Sequence, residues 1–315
     1  MKKIAFLFAG QGSQYIGMGK DFYESFEECK KIYEIADSEL GFNLSDICFY
    51  DKDGKLNKTE FTQPSIIATN MAILEALKKF NIKTDISCGL SLGEYSALIN
   101  DGMISFEDAV KLVKKRGQFM QDAVKPGIGG MVAVLKLEKK DIEEIISICS
   151  KDGIVEIANY NSPSQIVISG DLKILDKASE LIQERGGRAI KLNVSAPFHS
   201  SMLEAAANNL YEELKDIEIN KPNGIVLSNL KGDCYTKDDD VKIILKDQVQ
   251  KSVLFVDNIK YMQSLGVDIF VEIGPGKVLS GFVKKIDKTA TILNIDTIES
   301  FYKTIEKLKE LEVIT

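Results

Sequence analysis

Five residues, Gly89-Leu90-Ser91-Leu92-Gly93, limit the architecture of this 315-residue chain more than any other feature. They follow a short apolar strand pattern at 85–88 and precede a helical pattern near 92–100. G-x-S-x-G in that setting is the nucleophile-elbow motif. The glycines let the backbone turn sharply from strand to helix, and the serine hydroxyl stands exposed at the junction. Such a turn needs a strand that runs straight into a covering helix, the repeating joint of a parallel α/β sheet. The plainer alternative is an ordinary strand-to-helix turn that contains a serine.

Patterning elsewhere agrees with an α/β sheet. The sequence predicts a strand at 4–8, helices near 19–38, 65–80 and 106–123, and, from Gly224 onward, a strand at 225–228. Helices near 239–264, strands at 268–273 and 291–295 and an amphipathic helix at 299–311 complete this set. Residues 126–194 read differently, as strand 131–137, helix 139–150, strands 154–158 and 165–169, helix 172–185 and strand 188–194. That βαββαβ order is the ferredoxin-like pattern. Pro126-Gly127 and Ser195-Ala196-Pro197 are its boundary signals. The expected organisation is an α/β domain, 1–125 plus 195–315, with a ferredoxin-like subdomain of 126–194 inserted into it.

At about 150 residues per domain the length fits two such units. The 44% hydrophobic and 28% charged content excludes disorder, collagen and coiled coil as the main architecture. A net charge of −7 argues against a broad nucleic-acid surface. No apolar run approaches the roughly 20 residues of a membrane span. The apolar start Ile4–Ala9 runs into Gly10-Gln11-Gly12-Ser13-Gln14 with no small-residue cleavage site, so it reads as a first strand and not a signal peptide. The five cysteines are scattered and form no C-x-x-C pair, which points to a reducing, cytoplasmic compartment without structural zinc or disulfides. No cofactor and no metal are expected, and the chain is expected to act as a monomer.

The chain has one histidine, His199. Serine is a weak nucleophile at neutral pH without a base, so any imidazole chemistry involving Ser91 must use it. His199 follows the inserted segment at a domain junction, where clefts form. A lone histidine satisfied by a loop carbonyl is the bland alternative. No Asp or Glu is obviously placed to orient it, and a backbone carbonyl would serve equally. The backbone N–H of Leu92, at the helix start, can stabilise an oxyanion. The Gly10-Gln11-Gly12 turn, at the end of strand one, can supply a second donor; it lacks the lysine and the full spacing of a phosphate loop.

Ser105-Phe106-Glu107-Asp108 opens the next helix with a capping-box-like signal. Ala109, Leu112, Val113 and Met120 mark its inward face, and the same spacing carries Arg116 inward. Lys111, Lys114 and Lys115 fall on the solvated side. A buried arginine needs a counter-charge, either an internal carboxylate or the carboxylate of a substrate.

These residues together resemble the malonyl-CoA:acyl carrier protein transacylase family over essentially the whole chain. The resemblance rests on Gly10-Gln11-Gly12-Ser13-Gln14, the Gly89–Tyr95 elbow, Arg116-Gly117 with Met120, and Asn159–Gln165 opening into Ile166-Val167-Ile168-Ser169-Gly170. Pro197-Phe198-His199 and Gly274-Pro275-Gly276 complete it. It implies a hydrolase-like α/β domain with a ferredoxin-like insert, and ping-pong transfer of malonyl from coenzyme A to the phosphopantetheine thiol of acyl carrier protein through a malonyl-serine. By the same resemblance Ser91 is the nucleophile and His199 the base. Gln11 and Leu92 N–H groups form the oxyanion hole, Arg116 holds the malonyl carboxylate, the carbonyl of Gln248 orients His199, and Gln63 lies in the pocket. Phe198 before the histidine resembles the malonyl-selective form, whose ring disfavours a methyl branch. The chain departs from the family at Leu90, where elbows usually carry histidine, and at Ser252, where proline is common.

Acyl carrier proteins are acidic, so docking to an acidic enzyme would use local positive charge such as Lys284, Lys285 and Lys288, or Arg185 and Arg188; ordinary solvated side chains are the alternative. A serine thioesterase or esterase shares the elbow and the histidine, and a non-catalytic acyl-binding or scaffold subunit derived from such an enzyme is an alternative of a different class. Arg116 and the insert favour transfer over the first, and the presence of both Ser91 and His199 argues against the second.

Overall fold

The computed structural model describes residues 2–84 and 86–314. In chain order the first part contains β1 (Lys3–Phe8), α1 (Lys20–Ser25), α2 (Glu27–Leu40), α3 (Leu44–Phe49) and α4 (Thr59–Lys79), then β2 (Ile86–Gly89), α5 (Gly93–Asp101) and α6 (Phe106–Asp122). A middle part follows with β3 (Gly129–Leu135), α7 (Lys139–Cys149), β4 (Val155–Ser162), β5 (Gln165–Asp171), α8 (Leu172–Glu184) and β6 (Arg188–Lys191). The last part holds α9 (Glu204–Lys215), β7 (Ile225–Val226), α10 (Val241–Gln248) and α11 (Phe255–Ser264). It ends with β8 (Val267–Ile273), α12 (Val278–Ile286), β9 (Thr291–Ile295) and α13 (Ile298–Glu310).

Five strands make a parallel sheet in the order β7-β2-β1-β8-β9. β1 is central, and Ala5, Phe6, Leu7 and Phe8 are wholly buried because helices cover both faces. Phe8 lies in register with Gly89 on one side and Ile273 on the other. The carboxyl ends of β1, β2 and β8 therefore release the Gly10 turn, the Ser91 elbow and the Gly274 turn next to one another, where ligands bind in open α/β sheets. Gly10 is required there: a Cβ on it would meet the Leu90 carbonyl oxygen at 2.3 Å.

The middle part forms a second, antiparallel sheet in the order β4-β5-β3-β6 with α7 and α8 on one face. It has a core of its own, including Val132, Ile145, Ile168, Leu175 and Ile182. Its other face, through Met131, Ala133, Ala158 and Val167, joins the core of the parallel-sheet part.

Most predicted elements appear with ends shifted by a few residues, and Asp85 of the predicted strand 85–88 lies outside the described residues. Several differ more. The helix predicted at 19–38 is two, because Phe26 is extended (φ −133, ψ 125). The helix predicted from 65 starts at Thr59 and runs through Pro64. Pro64 forfeits the bond its N–H would have made to the Glu60 carbonyl, a local loss outweighed by the burial of almost the whole helix. The helices predicted at 239–264 are α10 and α11, and the gap between them falls at 249–254, where Val253 exchanges backbone hydrogen bonds with Ala158 and Tyr160 of β4. Strands 188–194 and 225–228 shorten to Arg188–Lys191 and Ile225–Val226. Helix α9 was not expected, although Ala206, Ala207, Leu210 and Leu214 mark its buried face. Among the described residues no helix is long and apolar enough to cross a membrane.

Candidate active site

Ser91 sits between β2 and α5 with φ at 52°, a left-handed conformation that costs a serine energy unless the surroundings hold it. Asn229 holds it. Its Oδ1 accepts the Ser91 N–H at 2.5 Å, and its Nδ2 donates to the Gly89 carbonyl at 2.8 Å. The turn is thereby fastened on both sides of Leu90, and the Ser91 side chain faces a cavity of about 710 Å³. That cavity lies between the two sheets. Gln11, Arg116 and His199 line it from one side, and Met131, Asn161 and Val167 from the other.

Ser91 Oγ is 2.8 Å from His199 Nε2, and His199 Nδ1 is 2.7 Å from the Gln248 carbonyl oxygen. A carbonyl only accepts, so Nδ1 carries the proton and Nε2 presents its lone pair to the serine hydroxyl. Of the two orienting groups left open by the sequence, the backbone carbonyl is the one in contact. Burial first, and the Arg116 charge second, lower the pKa of His199 to about 4, against hydrogen bonds that raise it. The ring is therefore neutral at pH 7 and able to accept a proton.

Arg116 reaches the same cavity from α6, whose N-terminus is capped by the Ser105 side chain accepting from the Asp108 N–H. Gly117 lets α6 press against α4, since a Cβ there would lie 2.5 Å from the Thr59 carbonyl oxygen. The guanidinium is 1% exposed. Nη1 donates to Gln63 Oε1 at 3.0 Å, and Nη2 to Gln248 Oε1 at 3.0 Å and to Ser91 Oγ at 3.2 Å. Its carbon lies 5.4 Å from the centre of the Tyr95 ring, and Nε has no partner among the described residues. Among the described residues the arginine ion pairs belong to Arg185, and no carboxylate touches Arg116. Burial pulls its pKa down, while Tyr95 and Glu94 oppose that.

Leu92 is the residue before α5, and Gly10 packs against Leu90, so the Gln11 and Leu92 amides belong to adjoining turns. Neither N–H donates to a protein acceptor among the described residues. Phe198 lies on the cavity wall. Gln63 does not. It is wholly buried behind Arg116, where its amide holds Nη1 and approaches Gln11 Oε1 at 3.3 Å. The expectation of a pocket-lining glutamine is corrected to one that supports the guanidinium from behind.

A buried carboxylate was not foreseen. Glu94, on α5, accepts the Tyr235 hydroxyl at 2.5 Å, the Gln248 Nε2 at 2.5 Å and the Asn229 N–H at 3.1 Å. Burial pushes its pKa up, and these three donors with Arg116 pull it back. Glu94 had a sequence signal, a charge three residues after the serine on a helix otherwise packed inward. Asn229 and Tyr235 had none, because their partners are 138 and 141 residues away.

Of the basic residues singled out for docking, Arg185 is engaged with Glu144 at 3.0 Å. Lys284 and Lys285 end α12, whose Val278, Leu279 and Phe282 line the cavity.

Compared with known proteins, residues 5–300 match the family model described as acyl transferase domain. The chain is 43% identical to the malonyl CoA-acyl carrier protein transacylase of Bacillus subtilis, over 98% of each chain. It is 61% identical to the crystal structure of the Clostridium perfringens malonyl CoA-acyl carrier protein transacylase, with a TM-score of 0.97 over 99% of this chain and 98% of that one. A third structure, a type II PKS acyl-carrier protein in complex with its malonyl-transacylase, is similar at 31% identity and a TM-score of 0.94, covering 97% of this chain and 100% of that one.

Proposed function

This chain belongs to the acyl transferase domain family, among the malonyl CoA-acyl carrier protein transacylases, and from that premise we propose that it moves malonyl from coenzyme A to acyl carrier protein through a malonyl ester on Ser91. His199 Nε2 takes the proton from Ser91 Oγ as that oxygen attacks the thioester carbonyl. The negative oxygen of the tetrahedral intermediate is held by the Gln11 and Leu92 N–H groups. Collapse breaks the carbon–sulfur bond, and coenzyme A leaves with the proton held by His199. The phosphopantetheine thiol then gives its proton to His199 and attacks the ester, and the proton returns to Ser91 as the new thioester forms. Arg116 holds the malonyl carboxylate throughout. In this reading residues 126–194 are a ferredoxin-like subdomain that closes the second wall of the cavity, and every site residue comes from one chain.

The observation that carries the reading is Arg116: a buried guanidinium one hydrogen bond from the candidate nucleophile, with no carboxylate of the described residues in contact. An esterase has no use for such a fork, and an anionic acyl group does. The test is intact-protein mass after mixing with malonyl-CoA and no acceptor. A single malonyl adduct that acyl carrier protein discharges is the expected result. An adduct lost to water at the same rate with or without carrier protein would make the chain a thioesterase, and no adduct would remove the proposal.

The pH profile gives a second test. The base must be neutral to accept a proton, and its folded pKa of about 4 lies below the usual 6.5. The acid limb of kcat/KM is therefore expected near pH 4 and not near 6.5. Stability has the same sign: the unfolded histidine binds a proton below pH 6.5 while the folded one resists it, so this contribution to stability falls as the pH drops from 6.5 toward 4. A kinetic inflection at 6.5 would show that His199 is not the base or is not buried as described.

A further inference from the structure

Between the cation and the anion of this site stands one neutral amide. Arg116 Nη2 donates to Gln248 Oε1 at 3.0 Å, while Gln248 Nε2 donates to Glu94 Oε2 at 2.5 Å and to the Ser91 carbonyl at 3.1 Å. The amide has one possible orientation. A guanidinium has only donors, so it must face the oxygen of Gln248. Glu94 Oε2 meets two groups that can only donate, the Asn229 N–H and Gln248 Nε2, and Oε1 meets the Tyr235 hydroxyl, which donates to it when Glu94 is ionised. The line runs from Arg116 through Gln248 to Glu94, whose three donors and the nearby Arg116 charge favour the ionised carboxylate against burial, and all three residues are buried.

This arrangement resolves two conflicting demands. An isolated buried guanidinium is costly, so an empty site needs a counter-charge nearby. A carboxylate in direct contact would meet that need but would occupy the fork, and an incoming acyl carboxylate would then have to displace it. We propose that the Gln248 side chain is a spacer that sets acyl-group specificity, keeping the Glu94 charge close enough to balance Arg116 and out of contact with it. The proposal rests on the reading that Arg116 receives the malonyl carboxylate. Gln248 thus has two separate tasks: its backbone oxygen orients His199, and its side chain positions the guanidinium.

Exchanging the two side chains tests this. The double variant Glu94→Gln with Gln248→Glu keeps the net charge but places the carboxylate against Arg116. Rates of Ser91 acylation by malonyl-CoA and by acetyl-CoA are measured for it, for the wild type and for Arg116→Ala. The ratio of the malonyl to the acetyl rate is expected to fall at least about tenfold in the exchange variant, because its own carboxylate now competes for the fork. General damage to the site would lower both rates together and leave the ratio unchanged, and that result overturns the spacer. If Arg116→Ala lowers the ratio and the exchange does not, the spacer alone fails. If Arg116→Ala leaves the ratio unchanged, the carboxylate clamp fails and the spacer with it. Should the exchange variant not fold, Gln248→Met decides. It retains Glu94 and the backbone oxygen but removes the amide, so the guanidinium loses an acceptor and is drawn toward Glu94. The ratio falls if the spacer is real and holds if it is not.

Discussion

Ser91→Ala and His199→Ala are each expected to lower kcat/KM for malonyl transfer at least about 10⁴-fold, and the double variant to be little worse than either alone. The reason is that the two side chains act as one unit. The hydroxyl is nucleophilic only while Nε2, 2.8 Å away, can take its proton, and without the hydroxyl that base has nothing to activate. Single-turnover mixing with malonyl-CoA, followed by intact mass, separates the two cases. Ser91→Ala should acquire no adduct at any time, whereas His199→Ala should acquire one slowly, because the donors of the oxyanion hole remain in place. An adduct on Ser91→Ala would move the nucleophile elsewhere. A loss below about tenfold in His199→Ala would mean that another group, or water, takes the proton.

The difference between what the sequence disclosed and what it hid follows from contact distance along the chain. The elbow was legible because its chemistry and its geometry share five consecutive residues. Arg116 was legible because helical periodicity fixes which side of α6 it faces, and the structure finds it 1% exposed. His199 was identified by being the only histidine, not by any local pattern. What it contacts was another matter. The residues that shape the site from behind, Gln63, Glu94, Asn229 and the side chain of Gln248, act on partners within the site that lie 52 to 157 residues away in sequence. No periodicity reports such a pairing. The fold shows the same division. The strands of the parallel sheet were legible from their apolar runs. The place where α10 gives way to α11 was not, because Val253 leaves the helical path to pair with β4, nearly a hundred residues earlier.

Arg116→Ala is expected to lose malonyl transfer far more than acetyl transfer, and the surroundings of the guanidinium set the scale. A buried charge deprived of its partner costs about 2–4 kcal/mol, which would make the wild type prefer malonyl over acetyl by roughly 30- to 700-fold. The upper part of that range assumes a guanidinium left with no acceptors when acetyl is bound. Here Gln63 and Gln248 accept from Nη1 and Nη2 at 3.0 Å, and only Nε lacks a partner. Neutral amides offset part of the penalty, so a preference in the lower half of the range is expected. In Arg116→Ala the preference should vanish or reverse, because the malonyl carboxylate would then enter a buried space with no cation to meet it. Glu94, also buried there and no longer balanced, would repel it further. Acetyl transfer should fall only by the part that comes from the loss of the Nη2 contact to Ser91 Oγ at 3.2 Å. Measured kcat/KM values for both acyl donors decide the matter. Equal losses on the two substrates would show that Arg116 supports the nucleophile and does not bind the acyl carboxylate. The guanidinium would then be a structural charge, balanced by Glu94 through the Gln248 amide.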